Sequence, residues 1–125
     1  MDKISLLYIC GIYNIAFVIF HILFWKIFKW KNILEKGTKS TKAIIQIINI
    51  QLIYLFIVMA YVYLFYTDLL MDTKIGKLIL IAYAGFWVLR FIQQFIFLKI
   101  KGKFVIALTL VFLFGAIIHL LPILL

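Results

Sequence analysis

Three side chains that could do chemistry stand inside an otherwise lipid-soluble stretch: Arg90, Gln93 and Gln94 in FWVLRFIQQFIF, residues 86–97. A guanidinium at the centre of a bilayer costs about 2.5–3.5 kcal/mol on insertion scales, so it must face protein, water or phosphate. All four acids of the chain, Asp2, Glu35, Asp68 and Asp72, fall in loops or near the N-terminus, so no carboxylate shares its span. Asparagine, glutamine, tyrosine and backbone carbonyls accept its hydrogen bonds without neutralising it. Two readings of Arg90 follow. It glues the bundle together and snorkels towards lipid phosphates. Or its counter-ion is brought by a lipid phosphate, a small anion or an acid on another chain.

The elements that must hold it are apolar helices. Hydrophobic residues make up 68% of the 125, and the mean hydropathy of +1.23 lies far outside the range of soluble domains. Four apolar runs, about 4–28, 43–66, 77–98 and 104–125, each exceed what a hydrocarbon core requires, and none alternates with period two. A helix satisfies its own backbone in lipid, so the expectation is all-α: an up-down four-helix transmembrane bundle, one membrane domain over 1–125. The first run is too long for a signal peptide and is followed by lysines rather than a cleavage site, which predicts that it is retained. Gly37 can end an extended first helix, Ser40 or Thr41 cap the second, Asp72 or Thr73 cap the third, and Gly102 turn the chain into the fourth.

Charge sets the expected orientation. Lys26, Lys29, Lys31, Lys36, Lys39 and Lys42 follow the first run and Lys99, Lys101 and Lys103 the third, against Lys3, Lys74 and Lys77 on the opposite side. The positive-inside rule puts basic loops 29–42 and 99–103 in the cytoplasm and both termini outside a bacterial inner membrane. The net charge of +9 is thereby a topology signal, and nucleic acid is not an expected partner. Trp25 and Trp30, interleaved with lysines, read as an aromatic belt.

Counting about 1.5 Å per residue places Arg90 and Gln51 roughly 12 Å, and His21 and Asn49 roughly 9 Å, from the inner boundary. Gln93, Gln94 and Thr109 fall in or near the same band, so every helix contributes to one polar layer, which Asn14 extends towards the middle. Gly11, Asn14, Val18, His21 and Trp25 share one helix face, and Tyr83, Arg90, Gln94, Phe97 and Lys101 another, with Gln93 and Trp87 at its edges. Asn49 and Gln51 point about 160° apart, so one of them faces elsewhere.

The remaining chemistry-bearing residues read as structural. His119 counts to about 22 Å from the start of its helix, near the outer surface and about 13 Å in depth from His21, too far for the two to share a metal or haem. Cys10 reads as a small apolar filler that excludes an internal disulfide, and Tyr54 with Tyr61 as packing. Gly11, Gly85 and Gly115 permit close helix approach. No embedded carboxylate, Ser/Lys pair or metal-ligand spacing is present, so neither an enzyme nor a cofactor or metal site is expected.

HILFWKIFKW (21–30), GFWVLRFIQQFIF (85–97) and the terminal PILL resemble a group of small, uncharacterised bacterial four-helix integral membrane proteins. That resemblance implies the four-span layout and carries over no activity and no functional residue. Two functions are expected. The first is a binding or accessory protein in the lipid bilayer, associating with itself as a homo-oligomer or with another membrane protein. The alternative is an anion or anionic-lipid site, with a possible transport role, in which Arg90 holds the charge, Gln94, Gln51 and Asn49 orient it, and His21 adds a donor.

Overall fold

The computed structural model describes residues 2–27 and 37–125. Four long helices are α1 (Lys3–Ile22), α3 (Lys39–Phe65), α5 (Lys74–Phe97) and α6 (Lys103–Leu124), with short helices α2 (Phe24–Ile27) and α4 (Thr67–Asp72) between them. All four long helices have the length and composition of a membrane span. The protein is an all-α, up-down bundle. Alternation brings Asp2, α4 and Leu125 to one end, here the terminal end. It brings α2, Thr38 and the Leu98–Gly102 turn to the other, the basic end.

Caps fix where each helix begins. Asp2 accepts from the Ser5 N–H at 2.9 Å, and hydrogen bonding from Ser5 holds its carboxyl below the usual carboxylate range. Thr73 caps α5 by accepting from the Gly76 N–H, as expected. The cap of α3 is Thr38, not Ser40 or Thr41, because the Thr38 hydroxyl accepts from the Thr41 N–H at 3.1 Å. Gly102 turns the chain at φ 84°, a backbone region that side-chain-bearing residues avoid. The helix α1 breaks at Leu23 before the short α2. The expected extension of the first helix towards Gly37, and the Trp25 and Trp30 side chains, lie outside the described residues.

Lipid tails are as apolar as leucine, so burial of hydrocarbon does not drive these helices together; packing and interhelical hydrogen bonds do. The helix α1 packs closely on α3 and on α6, and α5 on α6. The most enclosed span is α1, 44% buried, and the least is α3 at 17%, so α1 is the central staff and α3 the lipid-facing flank. Phe17 joins the sides, its ring 4.9 Å from Tyr13 and from Trp87, 5.7 Å from Phe56 and 5.6 Å from Phe112. Such ring pairs contribute about 0.5–1.5 kcal/mol each beyond area burial.

The fourth side of the bundle differs. The backbones of α3 and α5 make no close packing, and rings span the space: Phe56 lies 6.1 Å from Phe86 and 5.5 Å from Trp87, and Tyr63 lies 6.0 Å from Tyr83. The helix α4, absent from the expected pattern, fills this side at the terminal end, where Leu70 is buried and Gly76 sits against the Leu69 carbonyl.

Two of the three glycines expected to permit close approach do so. A Cβ at Gly11 would stand 2.6 Å from Leu64, and one at Gly115 would strike the Tyr13 hydroxyl, so both permit close approach. Gly85 meets nothing within 4 Å. Tyr54 and Tyr61 are exposed rather than packed within the bundle.

Candidate functional site

The expected polar layer divides into two clusters, one in each half of the bundle. In the basic half every long helix contributes, as counted. The Asn49 amide NH2 donates to the His21 carbonyl at 3.0 Å, which turns Asn49 Oδ1 towards His21 Nδ1 at 2.9 Å. Because Oδ1 only accepts, Nδ1 carries the proton and Nε2 the lone pair in the neutral ring. On the other side the Thr109 hydroxyl donates to the Val105 carbonyl, so its oxygen is left to accept from Gln94 Nε2 at 3.0 Å. That fixes the amide orientation and leaves Gln94 Oε1 a buried acceptor without a partner.

A pair of bonds pins α1 to α3 and a single bond pins α5 to α6. Between these hairpins lies a cavity of about 520 Å3. Phe17, Phe20, Phe24, Phe56, Phe86, Trp87, Phe104 and Phe112 supply rings to its wall, and His21, Arg90, Gln93 and Gln94 the polar groups. Arg90 is the one formal charge in that lining among the described residues. Its guanidinium carbon sits 4.2 Å from the centre of the Phe112 ring, a cation–π contact. No ion pair reaches it among the described residues: Asp2, Asp68 and Asp72 belong to the terminal end, and Arg90 lies about 24 Å along α5 from Lys74. The cation is seated by quadrupole attraction, with no counter-charge beside it among the described residues.

The five expected site residues therefore part company. Arg90, His21 and Gln94 line one cavity. Asn49 is buried behind His21 and holds it. Gln51 does not belong: it is exposed on the outward side of α3, opposite in phase to Asn49. The expected stripe on α5 faces inward at Tyr83, Trp87 and Gln94 and brings Arg90 to the cavity, while Phe97, the last residue of α5, and Lys101, beyond its end, are exposed. The ring of Phe112, the seat for the cation, carries no sequence signal beyond its apolar character.

In the terminal half Asn14 is the hub. Its NH2 donates to the Cys10 carbonyl at 2.7 Å and to His119 Nε2 at 3.2 Å, and its Oδ1 accepts from the Tyr83 hydroxyl. His119 Nδ1 faces the Gly115 carbonyl at 2.6 Å, which fixes the proton there and leaves Nε2 to accept. His119 is fully buried, and Asn14 serves this cluster rather than the basic-half layer.

Cys10 is more than a filler. Pro122 lies in the last turn of α6 and has no N–H to offer the Ile118 carbonyl. Cys10 Sγ donates to that oxygen at 3.2 Å. Cys10→Ala leaves the carbonyl bare and is expected to lower stability in detergent by about 0.5–1 kcal/mol, with Cys10→Ser recovering it. Equal thermal midpoints for the alanine and serine variants would exclude this role.

Among the described residues no three His, Cys, Asp or Glu side chains gather as a metal site would require. No protein-family model, curated protein or solved structure matches the chain.

Proposed function

We propose that this protein binds an amphipathic anion inside the membrane, with the anionic group at Arg90 and the apolar part among the rings of the cavity. The observation that carries the reading is Arg90 in an aromatic wall, with no counter-charge among the described residues. A cavity of about 520 Å3 lies within the range of small-ligand sites, about 300–1,000 Å3. His21, held by Asn49, presents an acceptor beside the cation, which suits an anionic head that also carries a donor. The reading is one of binding without turnover. With the basic loops in the cytoplasm of a bacterium, the cavity serves the inner leaflet of the cytoplasmic membrane. Membership of the group of small bacterial four-helix membrane proteins belongs to the same proposal.

Native mass spectrometry of the protein in mild detergent tests it, wild type beside Arg90→Gln. Wild type is expected to retain an anionic lipid or small anion. The variant is expected to hold it about tenfold to a hundredfold more weakly, because a hydrogen bond to a charged group contributes about 1.5–3 kcal/mol. Identical retention in both forms sinks the reading.

A second reading, association with itself or with another membrane protein, rests on Gln51. This amide is exposed among the outward isoleucines Ile47, Ile48 and Ile50, on the least enclosed helix. Amides in lipid seek partners across helices. Crosslinking in membranes that recovers a dimer or a partner from wild type, and neither from Gln51→Leu, is the expected result under it.

A further inference from the structure

We propose that the occupant of the cavity is a bilayer lipid that enters sideways, between α3 and α5, with one chain inside and the rest of the molecule still in the membrane. This rests on the binding reading above and names the ligand's source and its route.

Three sides of the bundle are closed by tightly packed helix pairs; the fourth is spanned by rings. Along that fourth side the ring bridges run from Tyr63–Tyr83 to Phe56–Phe86 and Phe56–Trp87. Beyond Phe56, towards the basic end, no aromatic pair joins α3 to α5 among the described residues. Leu52 on α3 and Gln93 on α5 flank that interval, both line the cavity, and both are partly exposed. Leu52 is about 13 Å along the helix from Ala43, and Arg90 about 12 Å from Leu98, so the gap opens within hydrocarbon at the depth of the cation. A solute arriving from water would not meet it; a lipid would.

Volume points the same way. The cavity matches a single drug-sized occupant, not a whole two-chain phospholipid. A gap in the wall lets the second chain stay in the bilayer while a phosphate reaches Arg90. The ligand class is therefore a lipid with an anionic phosphate head, drawn from the leaflet at the basic end.

The full chain carrying Trp25→Phe and Trp30→Phe leaves Trp87, in the cavity wall, as the single tryptophan, excited at a wavelength tyrosine does not absorb. Reconstituted in phosphatidylcholine nanodiscs, it is titrated with phosphatidic acid brominated on its chains, and separately with aqueous glycerol 3-phosphate. The expected result is quenching of Trp87 by the brominated lipid and no relief of it by glycerol 3-phosphate. Leu52→Phe with Gln93→Phe, which extends the ring bridges across the gap, should abolish most of the quenching. Leu52→Ala, which widens the gap, should preserve it. Quenching unchanged in the double phenylalanine variant overturns the sideways route. Displacement of the lipid by glycerol 3-phosphate overturns the lipid source while leaving the anion site intact. If Arg90→Gln quenches as fully as wild type, the binding reading itself falls.

Discussion

Replacing Asn14 with leucine is expected to cost about 2–3 kcal/mol and to be among the most damaging single substitutions in the chain. Asn14 touches three helices: its own α1 through the Cys10 carbonyl, α6 through His119, and α5 through Tyr83. Leucine fills a similar space and leaves the Tyr83 hydroxyl and His119 Nε2 buried without partners. Each stranded group costs about 1–3 kcal/mol where water cannot reach it. The figure is tempered because single interhelical hydrogen bonds in membranes average only about 0.6 kcal/mol, the unfolded chain finding partners of its own. Equilibrium unfolding by steric trapping in bicelles measures it. Tyr83→Phe, which strands only Asn14 Oδ1, should lose less than half as much. If Asn14→Leu unfolds no more readily than Gln51→Leu, the network does not hold the bundle.

The second large effect is expected at Gly76. A Cβ there would overlap the Leu69 carbonyl and stand 2.6 Å from the Leu70 Cα. Both obstacles are backbone, so no rotamer change relieves them, and overpacking of this kind costs about 1–3 kcal/mol. Gly76→Ala should push α4 off the start of α5 and loosen the terminal end. Gly85→Ala is the contrast, since a Cβ there meets nothing within 4 Å and alanine gains up to about 1 kcal/mol of helix propensity. The two glycines share a helix, nine residues apart, and their alanine variants should move the thermal midpoint in opposite directions. Midpoints that move together would show that the close approach at Gly76 is not what fastens α4.

The spans were legible because hydropathy over twenty residues averages out local detail, and each expected run overlaps an observed helix. Helix ends were less so: Lys39 and Lys74 begin helices that the apolar pattern starts at Ala43 and Lys77, since the cap residues lie outside the hydrocarbon stretch. The six residues of α4 carry no period that separates them from a loop. Depth counting gathered His21, Asn49, Arg90, Gln94 and Thr109 correctly because rise per residue is rigid. Depth says nothing of azimuth: helical phase sets Asn49 and Gln51 about 160° apart without telling which faces inward, and Gln51 is the exposed one. Asn14 belongs to the terminal cluster, and the same count, from Ile27, sets it about 20 Å deep, close to the level of His119. What decides its partners is the side chain's reach, one turn back to the Cys10 carbonyl and across to His119 and Tyr83 on two other helices. No single helix displays that.

The distribution of bonds between the two hairpins has a mechanical consequence. Tyr13 to Val111, Cys10 to Ile118, and Asn14 to His119 and Tyr83 all join α1 to the α5–α6 pair from Tyr13 towards the terminal end. At His21, about 10 Å further along α1, and at Gln94, about 17 Å further along α5, each bond stays inside its own hairpin. The molecule is a pair of tongs with its pivot at Asn14 and its arms at the basic end. Displacement grows with distance from a pivot, so a small rotation at the Asn14 level widens the grip around Arg90 by more than it disturbs the pivot itself. On the proposed binding reading, how large an occupant the arms can hold is then set by residues that never touch it.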